Sequence, residues 1–382
     1  MSAFERIFTN ATVVLADQVL SGTVVVRNGL IADIGEGAAA RAGALDCGGD
    51  LLIPGLVELH TDNVERHVMP RPGALWPTAS AMLNHDREII ACGITTVLNA
   101  LCVGEVHSRS VRLDHLHDLA QAMGDHISAG NFKADHYLHW RCEVSYGGLL
   151  DLLEPLMDHP RLRLVSVMDH TPGQRQFVQA ERYAEYYQGK FNMTDEEVTE
   201  FMAQRRRDQE RYSAPNRAMV VGFAQARNVP VASHDDATVE HVAEAILDRV
   251  TVAEFPTTVE SARASHEAGM AVLMGGPNIV RGMSHSGNVS ARDLAALGLL
   301  DIVSSDYVPC SLLWGALLLE ETVPEITLAE AISMVTRNPA RAVGLEDRGE
   351  IRCGLRADLV RLRRSVSGPV IRDVWVAGER VA

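Results

Sequence analysis

Eight short apolar runs between residues 51 and 306 restrict the fold more than any other feature of this chain. They are "LLIPGLVELH", "ITTVLNAL", "DHYLHWRCEV", "LRLVSVMDH", "VPVASHD", "VTVAEF", "AVLMGG" and "DIVSSD", with longer helical or irregular stretches between them. Strands that are apolar along their whole length belong to a parallel sheet covered on both faces. Alternation with helical stretches gives βαβ units, and eight such units close a barrel. The middle of the chain, 53–344, is therefore predicted to be an α/β domain of the (β/α)8 TIM-like barrel type.

The two ends read differently. Residues 1–52 and 345–382 alternate apolar and polar positions, with turn signals at Asn28-Gly29, Gly368-Pro369 and Ala377-Gly378. They predict one small β-sandwich domain built from both chain ends. Residues 194–212 predict a charged helix with Thr194 and Glu197 spaced as a capping box, on a connection long enough to cover a site mouth.

Net charge is −15, so nothing global favours nucleic acid or an anionic membrane, although a local basic cluster can still hold an anion. No run approaches the ~20 apolar residues of a membrane span, and the first residues lack a signal-type pattern. Six cysteines without a C-x-x-C pair read as reduced thiols of a cytoplasmic protein. The expected partner is a small molecule, and a homo-oligomer stays open.

Polar residues collect at the strand ends. Five of the eight strands finish in a residue that can bind a metal: His60 and Asp62, Glu143, His170, His234, and Asp306. In a β/α barrel these ends meet on one face, where catalytic groups gather. Imidazole with carboxylate suits one or two divalent ions, zinc first, with manganese, iron or nickel as alternatives. Three His and three carboxylates exceed the needs of one tetrahedral ion and fit a pair about 3.5–4 Å apart, with Glu143 as the bridge. A lone His at a strand end is usually structural, but the repetition over five strands favours ligation. His136 and His139 lie inside the third strand and read as core or as support behind the ligands.

"IPGLVELHTD", the β-rich ends with "VRNGLIADIG", and the late "SSD" resemble the amidohydrolase superfamily of metal-dependent hydrolases. The resemblance implies the same barrel, a composite β-sandwich and one or two divalent ions. Its usual first motif is His-x-His, and here Asp62 stands at the second position, as a weak ligand or as a group that orients a water. Glu143 stands where many members carry a carbamylated lysine. The usual ligands lie on later strands than the third, fourth and fifth, so either one strand is uncounted or this branch differs. "HTDNVERHVMPRPGALWP", "LHWRCEV", "MDHTPGQRQF", "ASHDDAT", "MGGPNIVRGMSHSGNVSA" and "SSDYVPCSLL" resemble, over nearly the whole chain, the branch of the carbon–phosphorus lyase pathway. That resemblance implies hydrolysis of α-D-ribose 1-methylphosphonate 5-triphosphate to ribose 1-methylphosphonate 5-phosphate and diphosphate.

Such a substrate needs cations and oriented donors. Arg71 sits between two prolines in Pro-Arg-Pro-Gly, which stiffens its backbone. The loop after the seventh strand carries Asn278, Arg281, Ser284, His285, Ser286 and Asn288 among Gly275, Gly276, Gly282 and Gly287, a composition suited to an anion. Gln174 and Arg175 follow His170 closely. Lys133 and Arg141 are weaker candidates, and Arg141, opposite Cys142 on its strand, is expected to face the helices. In the implied reaction water attacks the α-phosphorus, Asp306 takes its proton as general base, and His285 binds or protonates the leaving group. Two other readings compete: hydrolysis of a C–N bond by a cyclic amide hydrolase or deaminase, and a non-catalytic scaffold. The Arg71 turn and the Arg281–His285 loop argue against an uncharged substrate, and six metal-capable residues argue against a scaffold.

Overall fold

The computed structural model describes residues 5–382 except 40, 106, 108–111, 174, 176–179 and 285–286. Its strands run in chain order: β1 (Glu5–Val14), β2 (Val19–Arg27), β3 (Leu30–Glu36), β4 (Leu45–Asp46), β5 (Leu51–Pro54), β6 (Leu56–Thr61), β7 (Ile94–Val103), β8 (Asp135–Glu143), β9 (Leu162–Met168), β10 (Val231–His234), β11 (Val252–Glu254), β12 (Ala271–Gly275), β13 (Ile302–Ser304), β14 (Leu359–Ser365), β15 (Gly368–Val376) and β16 (Glu379–Arg380). One sheet is all parallel and ordered β13-β12-β11-β10-β9-β8-β7-β6. A parallel bridge between Thr61 and Asp306 brings its two edges together. The other sheet is mixed and ordered β16-β15-β14-β5-β1-β2-β3, with β4 beside β1. The expected architecture is thus present: a nearly closed eight-stranded barrel, and a separate sheet made by both chain ends.

The first apolar run divides. Leu51–Pro54 joins the terminal sheet between β1 and β14, and Leu56–Thr61 enters the barrel. Gly55 is the joint. Its N–H donates to the Asp358 carbonyl at 2.8 Å, and a Cβ there would lie 2.2 Å from Thr95 Oγ1. Only a residue without a side chain lets the strand change sheets while pressed against both. The barrel contains eight strands among the described residues, as counted; Glu143 and His234 end the third and fifth, and His170 follows the fourth by two residues.

Period-two alternation sets the interior of the barrel. Leu98, Tyr137, Leu164, Ala232, Val252, Leu273 and Ile302 fill a lower layer. Two residues further along each strand stand Ala100, His139, Ser166, His234, Glu254, Gly275 and Ser304. An apolar floor under an upper layer with polar groups on five of these seven strands is therefore written into the sequence. β6 departs from the pattern: its register with β7 shifts between Glu58 and Thr61. Such irregularities re-aim side chains, and here both Leu59 and His60 reach the interior.

The charged helix runs over Asp195–Ala226, with the Thr194/Glu197 capping box formed at its start. It is longer than expected because Val220, Val221 and Ala224 pack into the core between helices and barrel, which offsets the hydrogen bond lost at Pro215. Among the described residues, no helix is long and apolar enough to cross a membrane.

Candidate active site

At the C-terminal ends of the barrel strands lies a cavity of about 280 Å³, bordered by His60, Asp62, Glu143, His170, His234 and Asp306. All six residues expected at the metal centre therefore border one space. The sixth strand supplies a seventh polar group, Glu254, which the sequence reading passed over. It is fully buried, and its neighbour in register is His234.

Glu254 works beneath the cavity. His60 Nδ1 lies 2.9 Å from one carboxylate oxygen. Ser166 Oγ donates to the other at 2.6 Å, and His234 Nδ1 lies 3.4 Å from it. His139 adds a nitrogen at 3.8 Å, while its own Nδ1 is 2.9 Å from the Leu59 carbonyl and its Nε2 meets Ser166 Oγ. Burial alone would raise the Glu254 carboxyl. The imidazoles of His60, His139 and His234 outweigh that and hold it well below the usual carboxylate range. Burial pushes the His139 imidazole down to about 3. With Nδ1 of His60 and His234 engaged by one carboxylate, each Nε2 is left for the cavity.

Glu143 does the same for His170. Its Oε2 is 2.7 Å from His170 Nδ1, and its Oε1 accepts from Ser145 Oγ at 2.6 Å. Burial opposes protonation of His170, but the Glu143 bond outweighs it and raises the imidazole. Asp235, also passed over, completes the group. Its Oδ2 lies 3.4 Å from His234 Nε2 and 3.8 Å from His170 Nε2, yet it is buried without a hydrogen-bond partner among the described residues. Burial pushes its carboxyl up to about 7. Burial, then the neighbouring Asp62, does the same for Asp306.

The strand ends are strained here. Asp235, Phe255 and Asp306 have φ of 58°, 53° and 54°, a region non-glycine residues occupy at a cost of about 1–3 kcal/mol and mostly at functional sites. Phe255 repays part of this by standing edge-on to His60 and His234, at 4.9 and 5.3 Å between ring centroids.

Arg141 corrects the sequence reading. It faces the cavity rather than the helices, because it shares a strand face with His139 and Glu143; Trp140 and Cys142 take the helix side. Arg141 Nη1 is 3.6 Å from Asp62 Oδ2, and Arg112 Nη2 is 3.9 Å from the same oxygen and 2.8 Å from Glu65.

The expected substrate residues divide. Asn278, Arg281, Ser284 and Asn288 border the cavity. The Asn278 amide is spent on its own loop, donating to Val289 O at 3.2 Å and accepting from Ala291 N at 3.0 Å. Arg71 lies in an exposed turn outside the lining, bridged to Ala74. Arg175 is buried and turned away, paired with Asp236 and, at 2.8 Å, with Glu244. Lys133 precedes β8, at the opposite end of the barrel. Gln174, His285 and Ser286 fall outside the described residues. Two of the loop glycines have structural duties: Gly276 packs against Ser311, and Gly282 ends a helix in the left-handed conformation. Tyr187 and Phe191 give the cavity an aromatic wall that the sequence reading did not foresee.

The model of the amidohydrolase family matches residues 167–382. The α-D-ribose 1-methylphosphonate 5-triphosphate diphosphatase of Escherichia coli (strain K12) is 46% identical over 376 residues, 98% of this chain and 100% of that enzyme. The chain belongs to the amidohydrolase family. Solved structures agree on the fold. The N-acetylglucosamine-6-phosphate deacetylase of Pasteurella multocida superposes with a TM-score of 0.64 at 14% identity, over 99% of this chain and 100% of that one. The 5-methylcytosine deaminase of Klebsiella pneumoniae gives 0.65 at 16%, over 98% of both chains.

Amidohydrolases generally use divalent metals. Two clusters of this member have donor atoms within 4.8 Å of one another: His170, His234 and Asp235, and His60, His139 and Glu254. In the second, both His139 nitrogens and the Glu254 oxygens already face partners inside the protein. The first has a buried carboxylate oxygen without one, between two imidazole nitrogens. That donor set fits a divalent cation, and His139 and Glu254 of the second cluster fit the role of support behind it.

Proposed function

We propose that this amidohydrolase cleaves α-D-ribose 1-methylphosphonate 5-triphosphate to ribose 1-methylphosphonate 5-phosphate and diphosphate, in bacterial phosphonate breakdown. The observation that carries the reading is the 46% identity to the E. coli diphosphatase over essentially both full chains. The cavity is consistent with it, since Arg112, Arg141 and Arg281 stand around the His and carboxylate groups. An uncharged amide gives no use for three guanidiniums.

We assign His60, His170, His234, Asp235 and Asp306 to one or two ions, with zinc best suited to so many imidazoles, and Glu143 and Glu254 to holding the imidazoles in place. When bound, such ions polarise phosphoryl oxygens and lower the pKa of a nearby water. Asp306 accepts the proton of the water that attacks the α-phosphorus. Its carboxyl borders the cavity beside the other assigned groups, where it can reach that water. Arg281, Ser284 and Asn288, at the mouth, bind the outer phosphates, and His285 of the same loop is assigned to the departing diphosphate. A triphosphate of this kind exists inside cells, so we place the enzyme in the cytoplasm.

The test is ³¹P NMR of metal-loaded protein with the ribose triphosphate, alongside a dihydropyrimidine as neutral substrate. Diphosphate should appear with the 5-phosphate, and the dihydropyrimidine should stay intact. Orthophosphate as the product, or ring opening without phosphate release, would refute the reading. Asp306→Asn should lower kcat by about 10²–10⁴-fold.

A further inference from the structure

Arg141 is 9% exposed and borders the cavity. Its Nε is buried and lacks a partner among the described residues. Its nearest carboxylate oxygen, on Asp62, is 3.6 Å from Nη1, outside hydrogen-bond reach. A guanidinium this deep normally spends its donors on bidentate bonds to a carboxylate. Here the fork is charged, buried and largely unused.

The residues on its flank are themselves held in place. Asp62 lies between Arg141 and Arg112, and Glu65 holds Arg112 at 2.8 Å. Asn63, next in the chain, is fixed by Glu88 at 2.9 Å and by His85 at 3.1 Å. Arg141 itself rises from the barrel wall two residues before Glu143, on the same face. A buried fork with unused donors, beside His and carboxylate groups suited to a cation, matches the oxygens of a phosphoryl group.

We propose that Arg141 is a catalytic residue that binds the non-bridging oxygens of the phosphoryl group under attack, and that Asp62 is the positioning residue that aims it. The proposal rests on the triphosphate reading above. As the O–P bond from water forms at the α-phosphorus, the bond from that phosphorus to the bridging oxygen of the leaving diphosphate breaks. The electron pair leaves with the diphosphate, the water proton passes to Asp306, and Arg141 meets the charge that builds on the equatorial oxygens. Asp62 then faces guanidiniums rather than an ion, so its replacement should spare metal content.

The test uses the full, metal-loaded chain. Wild type, Arg141→Met, Arg141→Lys and Asp62→Asn are compared for kcat and KM on the ribose triphosphate, for bound metal, and for the Kd of inorganic triphosphate by calorimetry. Arg141→Met should lose on the order of 10²-fold or more, mainly in kcat, and bind inorganic triphosphate at least tenfold more weakly with metal unchanged. Arg141→Lys, which keeps the charge but not the fork, should recover part of both; it carries the test if Arg141→Met does not fold. Asp62→Asn should lower kcat at full metal content. An unchanged Kd and kcat in folded Arg141 variants would overturn the role of Arg141. Metal loss in Asp62→Asn would return Asp62 to the ligands. If wild type releases no diphosphate while Arg141→Met still weakens anion binding, the substrate reading fails and the phosphate site stands.

Discussion

Glu254→Gln offers the sharpest examination of the metal centre. The side chain keeps its size, but one carboxylate oxygen becomes an NH2 group. That position now faces Ser166 Oγ at 2.6 Å and His234 Nδ1 at 3.4 Å, with His60 Nδ1 at 2.9 Å from the other oxygen. With Nδ1–H on both imidazoles, either orientation of the amide sets its NH2 against an imidazole donor in a buried site, a loss of about 1–3 kcal/mol in stability. The negative charge that favours Nδ1–H on both imidazoles also disappears. Losing one supporting partner of a ligand typically weakens metal binding about 10–100-fold, or roughly 1.4–2.8 kcal/mol. Because a single carboxylate serves two imidazoles here, the upper end is expected. Competition against a chelating zinc indicator measures the change, and circular dichroism in EDTA separates it from unfolding. Zinc affinity within threefold of wild type in a folded Glu254→Gln protein would show that Glu254 does not organise the ligands.

Two further outcomes follow from regions away from the ions. Asp135 is ringed by Arg348 at 2.7 Å, Arg356 at 3.0 Å and Arg161 at 3.0 Å; burial opposes ionisation, but Arg348 and then Arg356 hold its carboxyl down at about 2. Since the folded value lies below the unfolded one of about 3.9, the group stabilises above pH 4 and loses that contribution as pH falls from 4 toward 2. It is worth roughly 2 kcal/mol, so urea midpoints of Asp135→Asn and wild type should differ at pH 7 and converge toward pH 2. Gly276→Ala would place a Cβ 2.6 Å from the Ser311 carbonyl oxygen; an overpacking cost of about 1–3 kcal/mol is expected, read as a lower thermal midpoint.

The barrel was legible because all eight strands are apolar enough to be found by composition and period alone. The centre was partly legible for the same reason: a polar residue at the tip of an apolar run stands out. Glu254 met that criterion at the end of "VTVAEF" and was passed over; Asp235 was overshadowed by His234 beside it. Reading Arg141 only from its relation to Cys142 points it toward the helices. The period-two rule, applied instead from Glu143, places Arg141 on the same face as a residue already assigned to the site. Arg175 was not legible in this way. Whether a guanidinium is available or spent depends on partners 61 and 69 residues away, Asp236 and Glu244, and no local pattern carries that. The Pro-Arg-Pro-Gly turn shows the converse. Its rigidity was readable, but its direction depends on packing that lies elsewhere.

The seam between β6 and the residues after β13 also has a consequence in time. Thr61 Oγ1 donates to the Asp306 carbonyl at 2.7 Å across 245 residues of chain, and Asp306 N donates back to His60 O at 3.1 Å. The first metal-capable residues and the proposed base are thus neighbours only after the final strand has docked. Contacts of such long range carry the largest loop-closure entropy and slow folding. Closure of the ring is what sets Asp306 beside His60 and Asp62.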